Sequence, residues 1–251
     1  MPSEFAHTIR SAELAIAMPL LPPGSRILEL GAGDGWQASL LSRQGFVVTA
    51  VDVARTATGT EQFAPIIIYD GRTLPFPDGS FDAIYSSNVL EHVKDFGRIQ
   101  AELARVLTTN GVAVHCVPSA TWRFWTTLGH PLYATRWLLN SHRRAATGAH
   151  SQTPHIERMN LLGLLRLGLI APRHGEHGNL VSEHYLFSRA GWRRRFEQSG
   201  WQISTMRPTG LFYSGNELAA LHMASGFRKS LARILGSSTL MLVAHPLAPH
   251  S

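Results

Sequence analysis

Arg26-Ile-Leu-Glu-Leu-Gly31-Ala-Gly33-Asp-Gly35-Trp36, continuing through Gln37 to Gly45 and then Phe46-Val-Val-Thr-Ala-Val-Asp52, is the stretch that decides the fold. Ile27, Leu28 and Leu30 form the short apolar run of a strand buried on both faces. The small residues that follow let the backbone turn sharply and let a ligand approach main-chain N–H groups. Ala38, Leu40 and Leu41 are spaced for an amphipathic helix that stops near Gly45. Phe46 to Val51 reads as a second strand, and Asp52 closes it. An acid about 20 residues beyond a glycine turn is placed to accept from ribose hydroxyls.

Outward from this unit the same alternation continues. Before it, Ile9, Leu14, Ile16 and Leu20 predict an amphipathic helix. After it, Ala54 to Pro65 reads as a short polar helix or loop, and Ile66 to Tyr69 as a third strand ended by Asp70 and Gly71. Leu74 to Asp82 is a turn-rich link into a fourth strand, Ala83 to Ser86. Lys94 to Leu107 carries Phe96, Ile99, Leu103, Val106 and Leu107 at helical spacing, with Asn110-Gly111 as the expected stop. Val112 to Val117, Gln202 to Arg207 and Thr239 to His245 read as three more strands. Ser188 is placed to cap a helix on which Trp192 and Phe196 pair.

Composition narrows the setting. A chain of 251 residues with 44% hydrophobic content fits one large domain or a domain with insertions. Its one cysteine, Cys116, has apolar neighbours, so an inert buried thiol in a reducing compartment is expected. The formal net charge of +6 comes almost wholly from arginine, Lys94 and Lys229 being the only lysines. Such a balance favours anionic partners. Glu4, Arg10 and Glu13 interrupt the N-terminal segment, which therefore does not read as a secretory signal. No apolar run reaches the roughly 18 residues needed to span a bilayer. A cytoplasmic protein is expected, with a peripheral place at the inner membrane face as a variant of that reading.

Glu29-Leu-Gly31-Ala-Gly33-Asp-Gly35, Val51-Asp52, and the wording Leu74-Pro-Phe with Ser80-Phe-Asp82 together resemble the class I methyltransferases that use S-adenosyl-L-methionine (SAM), in particular the small-molecule group called type 11. The dinucleotide-dehydrogenase pattern fits less well, because Trp36 stands where its third glycine would be. The resemblance implies a Rossmann-like seven-stranded, mostly parallel α/β sheet with helices on both faces. It also implies that the last strand is antiparallel and inserted between strands five and six. SAM would be the methyl donor and S-adenosyl-L-homocysteine (SAH) the product. The cofactor-binding residues implied are Glu29, Gly31, Gly33, Asp52, Val53, Asp70, Gly71, Ser86 and Asn88, with Asp70 and Gly71 bordering the adenine. His92, just past the end of a central strand, is the candidate catalytic base, since histidine as a residue type exchanges protons near neutrality. Lining the pocket is its other reading.

Two segments exceed a minimal domain of this kind. Residues 119–182 are too long for a structureless loop. They hold Trp122, Phe124, Trp125, Tyr133, Trp137 and the leucine-rich block Leu161 to Ile170, and read as a helical lid over the acceptor site. His142, His150, His155, His174 and His177 also fall there. His174-Gly-Glu-His177 matches no strong ligand motif, so no metal is expected. Residues 208–238 form a second helical insertion, with Phe227, Leu231, Ile234 and Leu235 beside Arg228, Lys229 and Arg233. That pattern suits a membrane surface as well as it suits packing on the protein. The expected activity is methyl transfer to a small-molecule or lipid- or glycan-linked acceptor at oxygen. The alternatives are a catalytically silent SAM-binding partner protein and an RNA methyltransferase. Nucleic acid is not the expected partner, because the arginines of residues 119–182 are mixed with long apolar runs. The oligomeric state stays open.

Overall fold

The computed structural model describes residues 2–53, 61–146, 171–214 and 225–247. Helix α1 (Pro2–Ala17) leads through a 3-10 turn (Met18–Leu20) into β1 (Arg26–Leu30), α2 (Trp36–Arg43), β2 (Val47–Asp52) and β3 (Ile66–Ile68). Strand β4 (Phe81–Ser87), a 3-10 turn (Leu90–His92), α3 (Phe96–Val106), β5 (Leu107–Pro118) and α4 (Ala120–Ala146) follow. The described C-terminal part holds α5 (Ser182–Leu186), α6 (Arg189–Gln198), β6 (Trp201–Pro208), α7 (Ser225–Leu235) and β7 (Thr239–Pro246).

The strands form one sheet in the order β3-β2-β1-β4-β5-β7-β6. Strand β7 is antiparallel to both β5 and β6, while the pairs from β3 to β5 are parallel. The chain leaves β1 toward one edge and returns at β4 to build the other. The crevice beyond the carboxyl ends of β1 and β4 is thus the topological switch point where open α/β sheets bind ligands. Register makes that rim flush, because Leu30 pairs with both Val51 and Ser86. Gly31, Asp52 and Ser87 therefore emerge side by side.

Burial follows from the patterns. Ile27, Leu28 and Leu30 of β1 are all buried, as the apolar run requires. Helix α3 buries Phe96, Ile99, Leu103 and Val106, and Asp95 caps it by accepting from the Arg98 amide at 3.0 Å. Ser188 caps α6 through the Gly191 amide at 3.0 Å. The indole N–H groups of Trp192 and Trp201 donate to the carbonyls of Pro118 and Gln100, so these large rings enter the core without stranding a donor.

The boundary between α3 and β5 differs from the sequence expectation. The helix ends at Val106 and the strand begins at once with Leu107, whose backbone is extended and which pairs with Phe81. Gly111 lies inside β5, where a Cβ would meet the Leu107 side chain at 2.4 Å. It answers a close approach within an irregular strand pair and does not stop a helix. Strand β4 also starts earlier, at Phe81.

Of residues 119–182, the described part opens with the long helix α4, which contains Pro131. The block Leu161 to Ile170, with His150 and His155, lies outside the described residues, as does Ala54 to Thr60. On α7, Phe227 and Ile234 are exposed, but Arg228 is buried, donating to the Phe212 carbonyl at 3.2 Å and lying over the Phe5 ring. The basic row predicted on this helix is therefore split, with one arginine facing α1. Among the described residues no helix is long and apolar enough to cross a membrane.

Candidate active site

The glycine stretch after β1 forms a cradle. Gly31 has φ +72° and its amide donates to Val51 at 2.9 Å; a Cβ there would lie 2.4 Å from Val89. Gly33, by contrast, faces open space, with nothing within 4 Å of an added Cβ. Its amide donates to Asp52 Oδ2 at 2.8 Å, and the Val53 amide donates to Oδ1 at 2.6 Å. A carboxylate can accept about four hydrogen bonds, so Asp52 can hold the loop and receive ribose hydroxyls together. Val53 is exposed, and a Cβ on Gly71 would sit 3.1 Å from it. Val53 and Gly71 thus meet at the ends of β2 and β3 and present a small apolar surface beside Asp52. Asp70 accepts from the amides of Arg72 and Thr73, which lower its pKa and turn the chain at that surface's edge. Burial, then the Asp52 and Asp70 charges, push the Tyr69 phenol up to about 12. An adenosine group fits these residues.

Two of the expected residues are buried. Glu29 is only 2% exposed and faces the Ala38 amide of α2. Burial, then Asp34, raise its pKa to about 8. Ser86 is fully buried and bonds His115 Nδ1 at 2.7 Å, because strand alternation aims it away from the cleft. Burial pushes His115 down to about 3. The Cys116 thiol is buried and raised by that burial, as an inert thiol should be.

Helix α1 closes the cradle from the side. His7 stacks on Trp36 at 4.4 Å and meets Asp34 at 2.6 Å, and the Trp36 indole donates to Ser11 at 2.9 Å. Deeper on the same helix, the fully buried Glu13 gathers five donors. Oε2 accepts from Arg10 at 2.8 Å, Ser87 at 3.2 Å and Asn88 at 3.4 Å, while Oε1 accepts from Tyr213 at 2.6 Å and Thr239 at 2.9 Å. Asn88 itself takes φ +53°, and its amide donates to Cys116 at 2.8 Å. The carboxyl end of β4 is therefore fixed by α1, β5, β7 and the chain at Tyr213. A signal for Glu13 was present: it stands four residues from Ile9 on the apolar face of α1.

His92 lies in the 3-10 turn after Asn88, with its side chain 46% exposed. Its ring meets that of His174 at 4.8 Å, and His174 in turn meets Trp122 at 4.4 Å. The sequence set His174 beside His177, but the structure separates them. His177 bonds the Val93 carbonyl at 3.2 Å, while His174 joins His92 and the buried Glu91. Glu183 receives the amides of His174 and Gly175, each at 2.8 Å, and is paired at 2.9 Å with the buried Arg123. The roles of Glu91, Glu183 and Arg123 depend on contacts between remote segments and carried no local signal. Beyond Phe187, which also borders Trp122 and His174, a cavity of about 660 Å³ opens between Ser119, Gly210 and α7, with Arg189, Lys229 and Arg233 on its walls. It shares the rim of the sheet with the cradle but lies toward β7 and the β6 edge.

Residues 4–206 match a family described as a methyltransferase domain. Over 93 residues the chain is 37% identical to a demethylmenaquinone methyltransferase of Corynebacterium efficiens, covering 36% of this chain and 40% of that protein. It is 33% identical over 102 residues to a 2-methyl-6-phytyl-1,4-hydroquinone methyltransferase of Synechocystis, covering 38% and 32%. The matches thus span two fifths or less of those relatives' lengths. A crystal structure of a SAM-dependent methyltransferase from Mesorhizobium loti superposes with a TM-score of 0.52 at 18% identity, covering 93% of this chain and 97% of that one. That likeness is one of fold.

Proposed function

Because the chain belongs to the class I SAM-dependent methyltransferase family, we propose that it methylates a hydroxyl on a largely apolar small molecule, with quinol-type rings as the leading acceptor class. The observation that carries this reading is the shared rim: the Gly33–Asp52 cradle and the His92–His174–Trp122 wall are joined by the chain from Ser87 to His92. The partial relatives named for quinone-type substrates support the acceptor class.

SAM supplies a sulfonium methyl: the acceptor oxygen's lone pair forms the new O–CH3 bond while the S–CH3 pair returns to sulfur, giving SAH, and the hydroxyl proton ends in solvent. The protein's part is alignment and exclusion of water. Asp52 and Gly33 hold the ribose side, Val53 and Gly71 the base, and Asn88 fixes the turn that carries His92. His92 activates the acceptor hydroxyl. Trp122 and Phe187 are buried behind His174 and hold its ring in place at the acceptor side.

The test is release of SAH by the wild-type protein with a panel of reduced quinones and phenols, beside a short RNA. SAH formation with a quinol, lowered at least tenfold in His92→Asn, supports the proposal. Turnover only with RNA, falling steeply with salt as phosphate contacts demand, would replace it with the nucleic-acid reading.

A further inference from the structure

Glu91 poses a problem that methyl transfer does not explain. Its side chain has no solvent exposure, and neither carboxyl oxygen has a hydrogen-bond partner. A buried carboxylate without a hydrogen-bond donor costs several kcal/mol, so native proteins satisfy such groups with a donor, water or an ion. Arg195, whose guanidinium lies over the Phe96 and Trp192 rings, acts on it only through space, and His174 Nε2 and His92 Nε2 stand 3.8 and 3.9 Å from Oε1, too far for hydrogen bonds. Ligand atoms of all three residues lie within 4.8 Å of one another.

We propose that Glu91, His92 and His174 bind one first-row divalent cation of the zinc, manganese or iron class, with its open positions toward the acceptor. Ligands at 2.0–2.2 Å around a tetrahedral ion stand roughly 3.4 Å apart, so contraction by about half an ångström to somewhat over one ångström closes the set. Two imidazoles and one carboxylate suit these metals better than magnesium, which takes an oxygen shell. Three protein ligands leave room for a further one, the arrangement of catalytic rather than structural sites. Glu91 forms the buried floor, while His92 and His174 are 46% and 35% exposed, so the open side faces outward.

The supporting residues are those of a built site. His174 is held through its own amide by Glu183, which Arg123 pairs from a fully buried position. The Glu176 amide donates to the Glu91 carbonyl at 2.9 Å, and Gly175 passes so near that a Cβ would stand 2.8 Å from that oxygen. Any side chain at Gly175 would push the His174 segment off the Glu91 turn. Outer contacts of this kind orient metal ligands. This inference rests on the proposed acceptor site and specifies how it works. A bound cation would lower the pKa of an acceptor hydroxyl, as metals do for water. With Nε2 on the cation, His92 would activate the acceptor hydroxyl through the metal and not as a free base.

The experiment is calorimetric titration of chelator-stripped protein with Zn2+ and with Mn2+, each sample then titrated with SAM. Wild type should bind one equivalent. Glu91→Gln and His174→Asn should each weaken it by about a hundredfold, and Glu183→Gln by at least about tenfold, while His177→Ala binds as wild type does. A circular-dichroism melt confirms that each variant is folded, and exposed His92→Asn serves if Glu91→Gln is not. Equal weak binding in wild type and variants, or none at 100-fold excess of either ion while SAM still binds, would overturn the metal site and leave the methyltransferase reading intact. Absence of SAM binding with an intact one-to-one cation site would instead sink the function and keep the site.

Discussion

Glu13→Gln is the substitution whose consequence follows most directly from geometry. The carboxylate has no solvent exposure and serves five donors from four parts of the chain. Burial works against the charge on Arg10, but Glu13, with smaller contributions from Tyr213 and Cys116, holds the guanidinium above its ordinary pKa. An amide of the same shape removes the counter-charge and turns an N–H2 toward groups that themselves donate. Removing one partner of a buried pair costs about 3–5 kcal/mol. The Arg10 side chain is 31% exposed, so water reaches one end and the lower figure applies. At roughly 2–4 °C per kcal/mol for a domain of this size, Tm should fall by about 6–12 °C. Tyr213→Phe alone should cost about 1.5–3 kcal/mol, the range for a bond to a charged group. The double variant should cost less than the sum, since both act on one carboxylate. Scanning calorimetry at pH 7 measures all three, and a Glu13→Gln Tm within 2 °C of wild type would refute the reasoning.

Glu29 gives a pH prediction of opposite character. Its folded pKa of about 8 lies above the ordinary glutamate value of 4.5, so the folded state holds the proton more tightly. The stability it contributes is full below pH 4.5 and is lost as pH rises through 8. The loss is on the order of 4–5 kcal/mol, and Glu29→Gln should flatten urea-denaturation stability between pH 5 and 9; an unchanged slope contradicts the assignment. Gly31→Ala combines positive φ with a Cβ 2.4 Å from Val89, which should cost at least about 2 kcal/mol and weaken SAM binding, both read by thermal shift with and without ligand. Trp36→Ala should free α1 from the cradle, lowering protection of the α1 amides in hydrogen exchange while those of β5 are unchanged.

The sheet was legible because its signals are local. Buried runs such as Ile27–Leu30, glycine turns and capping residues at Ser188 are written within a few positions. The insertion of β7 between β5 and β6, implied by resemblance, stands in the register of Cys116 with Met241 and of Met206 with Leu242. The boundary at Leu107 was misread because Asn110-Gly111 carries the same composition as a helix stop and as a strand irregularity. From Gly31 to Asp52 the motif is continuous, so the loop geometry it describes, with Gly33 donating to Asp52, could be read directly. The burial of Ser86 against His115 and of Glu29 beside the Ala38 amide depends on contacts between elements that no local motif announces. The acceptor side was least legible. Glu91 and His174 meet across 83 positions, and Glu13 meets Tyr213 across 200. No spacing rule reaches such distances.

The central claim is that the rim between Gly31 and Asp52 binds SAM. Calorimetric titration of wild-type protein and Asp52→Ala with SAM and SAH tests it most directly. Micromolar binding to wild type, weakened in Asp52→Ala by about 1–3 kcal/mol as stranded ribose hydroxyls require, is the predicted result. Folded wild-type protein that takes up neither compound would contradict it.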